Sequence, residues 1–334
     1  MQLTRFSRFL IVVAVLAVIF LLYQKYSPML QEKFGVQPGT EQTTLPENMP
    51  PAQAEGETQE SATAAETADF PYVAPEPVNG KLKGVVELGA AGFNSFIVLI
   101  DAQKNWKLQK AEFGSSLVHE NMATDDDVRN GLKNYIRGML DYGVPGKDIH
   151  FVVSSGAKSE PSVMKISKGL KSLGYFVNEV TAQQEGTFGL NCVIPATFSD
   201  NSFMIDIGSG NTKISWRSAR GIQAYESVGS KYFQKSISDE QAYSDVRKVI
   251  AQIPAANREY CFIIGGIPFE LAKQVRNGKE RYTVLKAPAD YKAEGEKQRA
   301  GINIYKAIAD ETACKTFVFD WDANFTIGFL LGLK

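Results

Sequence analysis

A carboxylate followed by small, polar residues marks the middle of the chain. The segment 203–212 reads FMIDIGSGNT, an apolar run that meets Asp206 and then passes into glycine, amide and hydroxyl residues. Such a run predicts a buried strand that ends in a tight hairpin. Glycines allow a ligand to approach the backbone, and successive N–H groups in a turn can bind an anion. The candidate anion-binding residues of this turn are Gly208, Ser209, Gly210, Asn211 and Thr212. An ordinary hairpin explains the segment equally well.

The composition excludes several other kinds of site. The 334 residues carry a net charge of −1 and contain no Lys/Arg-rich run, so nucleic acid is not an expected partner. Only two histidines occur, His119 and His150, and the three cysteines Cys192, Cys261 and Cys314 lie far apart in the sequence. This spacing argues against a zinc site or a disulfide framework, while a single bridge between distant cysteines stays open.

Residues 9–23 form an uninterrupted apolar run, FLIVVAVLAVIFLLY, after a short tail of residues 1–8 that contains Arg5 and Arg8. The run is intermediate in length between the core of a signal peptide and a full transmembrane helix, and no small-x-small cleavage site follows it. We therefore expect an uncleaved, single-pass signal anchor whose partner is the lipid bilayer. Basic groups before the run outnumber those after it by one. This excess predicts a folded part on the extracytoplasmic, periplasmic side of the inner membrane.

Residues 24–80 are predicted to be a disordered, acidic and proline-rich linker. Between positions 35 and 80 there are eight acidic residues, no Lys or Arg, and seven of the chain's fourteen prolines. Such a segment cannot bury enough apolar surface to offset the entropy of ordering the chain. The folded part is expected to begin near Lys81.

The rest of the chain repeats one layout. In the first copy, three apolar stretches precede a helix at 126–142, a strand at 149–155, a helix at 161–173, a strand at 175–180 and a helix from about Thr181. In the second copy, three strands precede a helix at 230–251, a strand from Glu259, a helix from Pro268, the short strand YTVLKA and more helix. The repeat predicts an α/β protein with two similar lobes, 81–200 and 201–334, and a cleft in which the glycine turns face each other.

Four segments of these copies carry recognisable motifs. DIGSGNTK at 206–213 is similar to D-I-G-G-G-S-T-E, VTAQQEG at 180–186 is similar to I-S-G-E-E-E-A/G, and SSGAK at 154–158 is similar to T-S-A-L-R. A glycine pair, Gly265-Gly266, follows an apolar strand. Together these motifs resemble the exopolyphosphatase/guanosine pentaphosphate phosphohydrolase family of the actin-like ATPase superfamily. The resemblance implies a divergent, short, membrane-anchored member with a duplicated, two-lobed actin-like (ribonuclease-H-like) fold.

The resemblance also implies an activity, the hydrolysis of a phosphoanhydride bond in polyphosphate or a phosphorylated nucleotide bound between the lobes. It implies that Glu185 positions or deprotonates the attacking water, and that Glu87 and Asp206 hold Mg²⁺ through water. The further phosphate-binding residues that it implies are Gly89, Ala90, Gly92, Lys158, Gly265 and Gly266. Local roles stay open for Glu185 as a helix-start acid, Glu87 as a turn acid and Lys158 as a solvated side chain.

Departures from the family pattern keep a second function open. The first turn reads ELGAAGFNS at 87–95 where the family has D-L-G-S-N-S, two glutamines precede Glu185, and Lys158 stands where the motif has arginine. A fold does not by itself specify an activity, which depends on the residues of the site. The alternative function is a catalytically degenerate actin-like module that binds or scaffolds at the membrane.

Overall fold

The structure is a computed structural model that describes residues 70–89, 92–114 and 125–333. The predicted membrane helix at 9–23 and the linker up to residue 69 lie outside the described residues. Among the helices that are described, none has both the length and the apolar character needed to cross a membrane.

The first half contains a five-stranded mixed sheet with the strand order β3-β2-β1-β4-β5. Strands β1, β2 and β3 form an antiparallel meander, and β4 and β5 continue the sheet in parallel with β1. Its strands are β1 Lys81–Gly89, β2 Gly92–Ile100, β3 Trp106–Gly114, β4 Ile149–Val153 and β5 Val177–Glu179. Its helices are α1 Asp125–Asp141, α2 Pro161–Ser172 and α3 Ala182–Val193.

The second half repeats this plan with one strand more. Its sheet has the order β10-β11-β9-β6-β7-β8, in which β6, β7 and β8 form the meander and β9 and β11 run parallel to β6. Its strands are β6 Ser202–Ile207, β7 Asn211–Ser218, β8 Gly221–Val228, β9 Tyr260–Ile264, β10 Tyr282–Val284 and β11 Thr316–Asp320. Its helices are α4 Asp239–Ile250, α5 Gly266–Lys273, α6 Glu296–Thr312 and α7 Phe325–Gly332.

The duplicated layout predicted from the sequence is therefore confirmed, with corrections in the second half. The predicted strand YTVLKA is β10, an antiparallel edge strand that has no counterpart among the described strands of the first sheet. The true counterpart of β5 is β11, which the sequence did not reveal. The predicted helix at 230–251 is interrupted, because a 3₁₀ turn at Tyr232–Lys235 precedes α4. Helix α5 begins at Gly266 rather than at Pro268.

Helices α3 and α7 join the two sheets. Helix α3 packs against β6, β7 and β8, and α7 packs against α3 and against β1 and β2. A Cβ atom on Gly328 of α7 would lie 1.9 Å from the carbonyl oxygen of Phe188, so the two helices touch through their backbones. One buried cluster accordingly contains side chains of both sheets, such as Val85 and Phe262, together with Leu190 and Leu330. The predicted boundary at 200/201 stays a prediction.

The folded part extends further toward the N-terminus than the expected start at Lys81. The ring of Phe70 lies 5.1 Å from that of Phe198 and 5.7 Å from that of Phe262, and Tyr72 lies 5.6 Å from Tyr282. Aromatic burial of this kind stabilises a segment that is otherwise polar and rich in proline. The last residues of the predicted linker therefore belong to the core. All three cysteines are free and buried, so the bridge left open by the sequence does not form.

Candidate ligand-binding cleft

A cavity of about 540 Å³ lies between the two sheets, where β1, β6, β9 and β11 end. Open α/β sheets bind ligands at the carboxyl ends of their parallel strands, so this is the expected place for a site. Most of the sequence-predicted residues line it. They are Glu87, Gly89, Asp206, Gly208, Ser209, Gly210, Asn211, Gly265 and Gly266.

The hairpin between β6 and β7 is held by its own hydrogen bonds. The N–H of Gly208 donates to the carbonyl of Asn211 at 3.1 Å, and the N–H of Ser230 donates to the carbonyl of Gly208 at 2.9 Å. Thr212 is buried and donates its hydroxyl to the carbonyl of Val228 at 2.7 Å. The residues of the predicted anion-binding turn therefore have two different roles. Gly208 and Thr212 stabilise the hairpin, and Ser209 and Gly210 present its tip to the cavity.

Gly265 brings the start of helix α5 to the same cavity. Its φ is +106°, and a Cβ atom at this position would lie 2.4 Å from the carbonyl oxygen of Ile207 and 2.8 Å from a carboxylate oxygen of Asp206. Any other residue would be strained in both backbone and packing. Because Gly265 and Gly266 line the cavity, the positive end of the α5 dipole is directed toward it. Their role in binding phosphate stays a prediction.

A buried lysine, Lys213, lies among the predicted catalytic and metal-binding carboxylates. Its Nζ is 2.8 Å from Oε2 of Glu185 and 3.7 Å from Oδ2 of Asp206. Burial alone would lower the pKa of Lys213, but the carboxylates of Asp206, Glu185 and Glu87 outweigh burial and raise it. The ammonium group is therefore charged and is shared by carboxylates of both halves. The sequence prediction assigned Lys213 no role.

Glu185 does not have the exposed position that its predicted role requires. The side chain of Thr181 accepts a hydrogen bond from the N–H of Gln184, and the side chain of Gln184 accepts one from the N–H of Thr181. This capping box starts α3 and puts Glu185 in its first turn. The Glu185 side chain is 1% exposed and is not among the residues that line the cavity. Its carboxylate accepts a hydrogen bond from the N–H of Ser155 and pairs with Lys213. Its role in activating water stays a prediction, and these partners occupy the oxygens that the role would use.

Glu87 is the carboxylate of the first half that reaches the cavity. Its Oε2 accepts hydrogen bonds from Nδ2 of Asn94 at 2.9 Å and from Nδ2 of Asn324 at 3.0 Å. Burial raises the pKa of Glu87, and the two amide donors only partly offset this. Asn324 is also the N-cap of α7, where its oxygen accepts from the N–H of Thr326. The distance in sequence between Glu87 and Asn324 explains why sequence analysis missed this contact.

The residues present do not fit the predicted Mg²⁺ site. In the described ranges, no group of three or more His, Cys, Asp or Glu side chains is arranged to hold a metal ion. Mg²⁺ requires oxygen ligands in octahedral geometry. The nearest partners of Asp206 and Glu87 are instead an ammonium group and two amide N–H donors, which compete with a cation for the same oxygens.

The remaining predicted site residues differ in where the structure places them. Lys158 is exposed and borders a separate hollow of about 340 Å³, together with Lys171 and Glu179, so the structure does not bring it to the cleft. Gly89 and Gly92 pair at the ends of β1 and β2, and their role in binding phosphate stays a prediction. Ala90 lies outside the described residues.

A group of aromatic side chains, the aromatic wall, also lines the cavity, and sequence analysis missed it. Its members are Phe96, Phe113, Phe269, Phe319, Trp321 and Phe325. The rings of Phe269 and Trp321 are 5.4 Å apart, and the guanidinium carbon of Arg276 lies 3.8 Å from the centre of the Trp321 ring. Phe113 is 64% exposed. The cavity thus combines a polar floor with a flat apolar side.

Comparison with known proteins yields structural matches alone. No family model matches the sequence, and no curated protein matches it. The PPX-GPPA enzyme of Aquifex aeolicus has a TM-score of 0.58 at 13% identity, over 76% of this chain and 99% of that chain. An exopolyphosphatase-like protein gives 0.55 at 14% identity over 76% and 98%, and an exopolyphosphatase of Cytophaga hutchinsonii gives 0.54 at 14% over 76% and 99%. The chain therefore has the two-domain α/β fold of these proteins, as the sequence predicted, and at this identity the likeness concerns the fold.

Proposed function

We propose that this protein binds the phosphate groups of polyphosphate or of a phosphorylated nucleotide in the cleft between its sheets. The observation that carries the proposal is the convergence of anion-attracting groups on one cavity. The hairpin tip at Ser209 and Gly210, the start of α5 at Gly266, and the side chain of Lys297 all line it. Backbone N–H groups at a turn and at a helix N-terminus, together with lysine, are a common means of binding phosphate.

The same geometry favours binding over turnover by Glu185. A carboxylate acts as a general base when it reaches the proton of a water molecule that is positioned for attack. Glu185 is instead covered by Lys213 and accepts a hydrogen bond from Ser155. The binding module, which was the alternative from the sequence, is therefore the first candidate function.

Hydrolysis of the phosphoanhydride bond is the second candidate function, and the position of Glu87 in the cavity favours it. This carboxylate lines the cavity, and burial raises its pKa, so it holds a proton more tightly than an exposed glutamate does. In this scheme Glu87 takes a proton from water while Asn94 and Asn324 hold its orientation. Release of phosphate by the wild type and its loss in Glu87→Gln would establish hydrolysis. Absence of release in a sample that binds would establish binding alone.

The aromatic wall favours a nucleotide over a bare phosphate chain. Phe113, Phe269 and Trp321 offer flat apolar surface beside the polar floor, and a base can stack on such rings. We expect ATP or GTP to bind more tightly than tripolyphosphate and Phe113→Ala to remove that difference. Equal affinities in the wild type would leave polyphosphate as the ligand.

A pair of substitutions at Gly266 tests binding by charge alone. A Cβ atom there meets no heavy atom within 4 Å, so both Gly266→Asp and Gly266→Asn fit without a clash. Calorimetric titration of full-length protein in detergent with tripolyphosphate and ATP should show binding weakened at least about tenfold by Asp, because like charges repel at this range. Asn should change affinity little. No binding by the wild type, or equal effects of Asp and Asn, would contradict the proposal.

The membrane anchor at 9–23 and the extracytoplasmic position of the folded part are proposed on the sequence alone. A topology reporter fused after Lys334 tests both. Activity of a reporter that works outside the cytoplasm supports them, and activity of a cytoplasmic reporter contradicts the orientation.

A further inference from the structure

We propose that the ammonium group of Lys213 stands where a divalent cation would bridge the cleft carboxylates, so that the cleft binds its phosphate ligand without a metal ion. The proposal rests on the proposed phosphate-binding function. It adds that removal of the lysine charge converts Asp206 and Glu185 into a divalent-cation site.

The position of the ammonium group leaves no room for a metal ion. Nζ of Lys213 lies 2.8 Å from Oε2 of Glu185 and 3.7 Å from Oδ2 of Asp206. A magnesium or calcium ion bound to the same two oxygens would sit about 2.0 to 2.6 Å from each of them. Such an ion would overlap the ammonium group or lie against it, and two cations at that separation repel strongly.

The sheet fixes this arrangement. Lys213 on β7 pairs directly with Asp206 on β6 in the antiparallel register, so the two side chains lie on the same face. Helix α3 covers that face, because Oγ of Ser215, two residues further along β7, donates to the carbonyl of Gly186 at 2.8 Å. Lys213 therefore has carboxylates on two sides and cannot rotate away into solvent without leaving them unpaired.

The two oxygens of Glu185 contact groups of the protein, Oε1 the N–H of Ser155 and Oε2 the ammonium group of Lys213. Nδ2 of Asn211 donates to Oγ of the same Ser155 at 3.3 Å. The bond between Ser155 and Glu185 connects the turn after β4 to α3, and the bond between Asn211 and Ser155 connects the same turn to the hairpin tip. The cation that joins the two halves is thus part of the chain.

Metal binding by full-length protein in detergent tests the proposal without any phosphate ligand. Titration with Mn²⁺, followed by electron paramagnetic resonance, should show at least about tenfold tighter binding by Lys213→Gln than by the wild type. Mn²⁺ should also raise the melting temperature of Lys213→Gln and leave that of the wild type unchanged. Lys158→Gln, which changes an exposed lysine outside the cavity, should behave as the wild type does. A wild type that binds Mn²⁺ at one tight site, lost in Asp206→Asn, would overturn the proposal.

A second measurement needs no variant and therefore does not depend on how well Lys213→Gln folds. Tripolyphosphate is titrated into the wild type in EDTA and in Mg²⁺, and binding in EDTA should be at least as tight as in Mg²⁺, because Mg²⁺ in solution neutralises part of the charge of the ligand. Binding that occurs in Mg²⁺ and disappears in EDTA would overturn this inference while leaving the proposed function intact. Absence of binding in both solutions, with the Mn²⁺ results as expected, would overturn the proposed function and retain the metal-excluding role of Lys213.

Discussion

Replacing Lys213 by methionine breaks the buried pair with Glu185 while keeping most of the volume of the side chain. The two side chains are 8% and 0% exposed, so the carboxylate left behind has no access to bulk water. Removing one partner of a buried ion pair typically costs about 3–5 kcal/mol. For a folded unit of this size, that loss lowers the melting temperature by roughly 6–20 °C.

Two further variants separate the buried charge from general damage. Lys213→Met combined with Glu185→Gln removes both charges and keeps an oxygen that accepts from the N–H of Ser155, so it should recover more than half of the lost stability. Lys248→Met breaks an exposed pair with Asp245 and should cost at most about 1 kcal/mol. Urea and thermal unfolding of the three variants in full-length protein measure these differences. If Lys213→Met costs no more than Lys248→Met, the view of Lys213 as the partner of buried carboxylates is refuted.

Other predictions concern the backbone, a titrating group and the thiols. Gly265→Ala should unfold at a much lower urea concentration than the wild type, because φ is +106° and the new methyl group would lie 2.4 Å from a carbonyl oxygen. Burial raises the pKa of Glu87, so ionisation of this carboxylate destabilises the folded state as the pH rises above 4.5. Glu87→Gln cannot ionise, so its free energy of unfolding should increase relative to that of the wild type between pH 4.5 and pH 7. Urea titrations at each pH measure the difference. All three cysteines, Cys192, Cys261 and Cys314, are buried, and burial raises the pKa of Cys314 to about 11. A thiol reagent at pH 8 should therefore label none of them until urea unfolds the protein. Rapid labelling of the folded protein would contradict their position in the core.

The sequence predicted the fold because its strongest local signals agree with the tertiary structure. Each half opens with an apolar strand that ends in an acid and glycines, and β1 and β6 are these two strands. Strand β11 was not predicted because its own sequence carries little local signal. Its sequence TFVFD is short and follows α6 after three residues, and it is stabilised chiefly by pairing with β9 and β10. Such pairing cannot be seen in a local pattern.

The role of Lys213 could not be predicted for a related reason. In KISW at 213–216, polar and apolar residues alternate, a pattern typical of a strand with one face in solvent. In the structure both faces of β7 are buried, because α3 lies on the polar one. The sequence pattern identified the strand correctly but could not show that a helix bearing Glu185 would cover the polar face. The amides of Asn94 and Asn324 on Glu87 escaped detection in the same way, since one of them comes from the far end of the chain.

The cleft is proposed to bind a phosphate chain through groups of the protein itself. Calorimetric titration of the full-length protein with tripolyphosphate in EDTA measures this binding without any metal ion. Saturable binding to one site, weakened by added salt and by Gly266→Asp, is expected. Heat of binding that is absent in EDTA and restored by Mg²⁺ would contradict it.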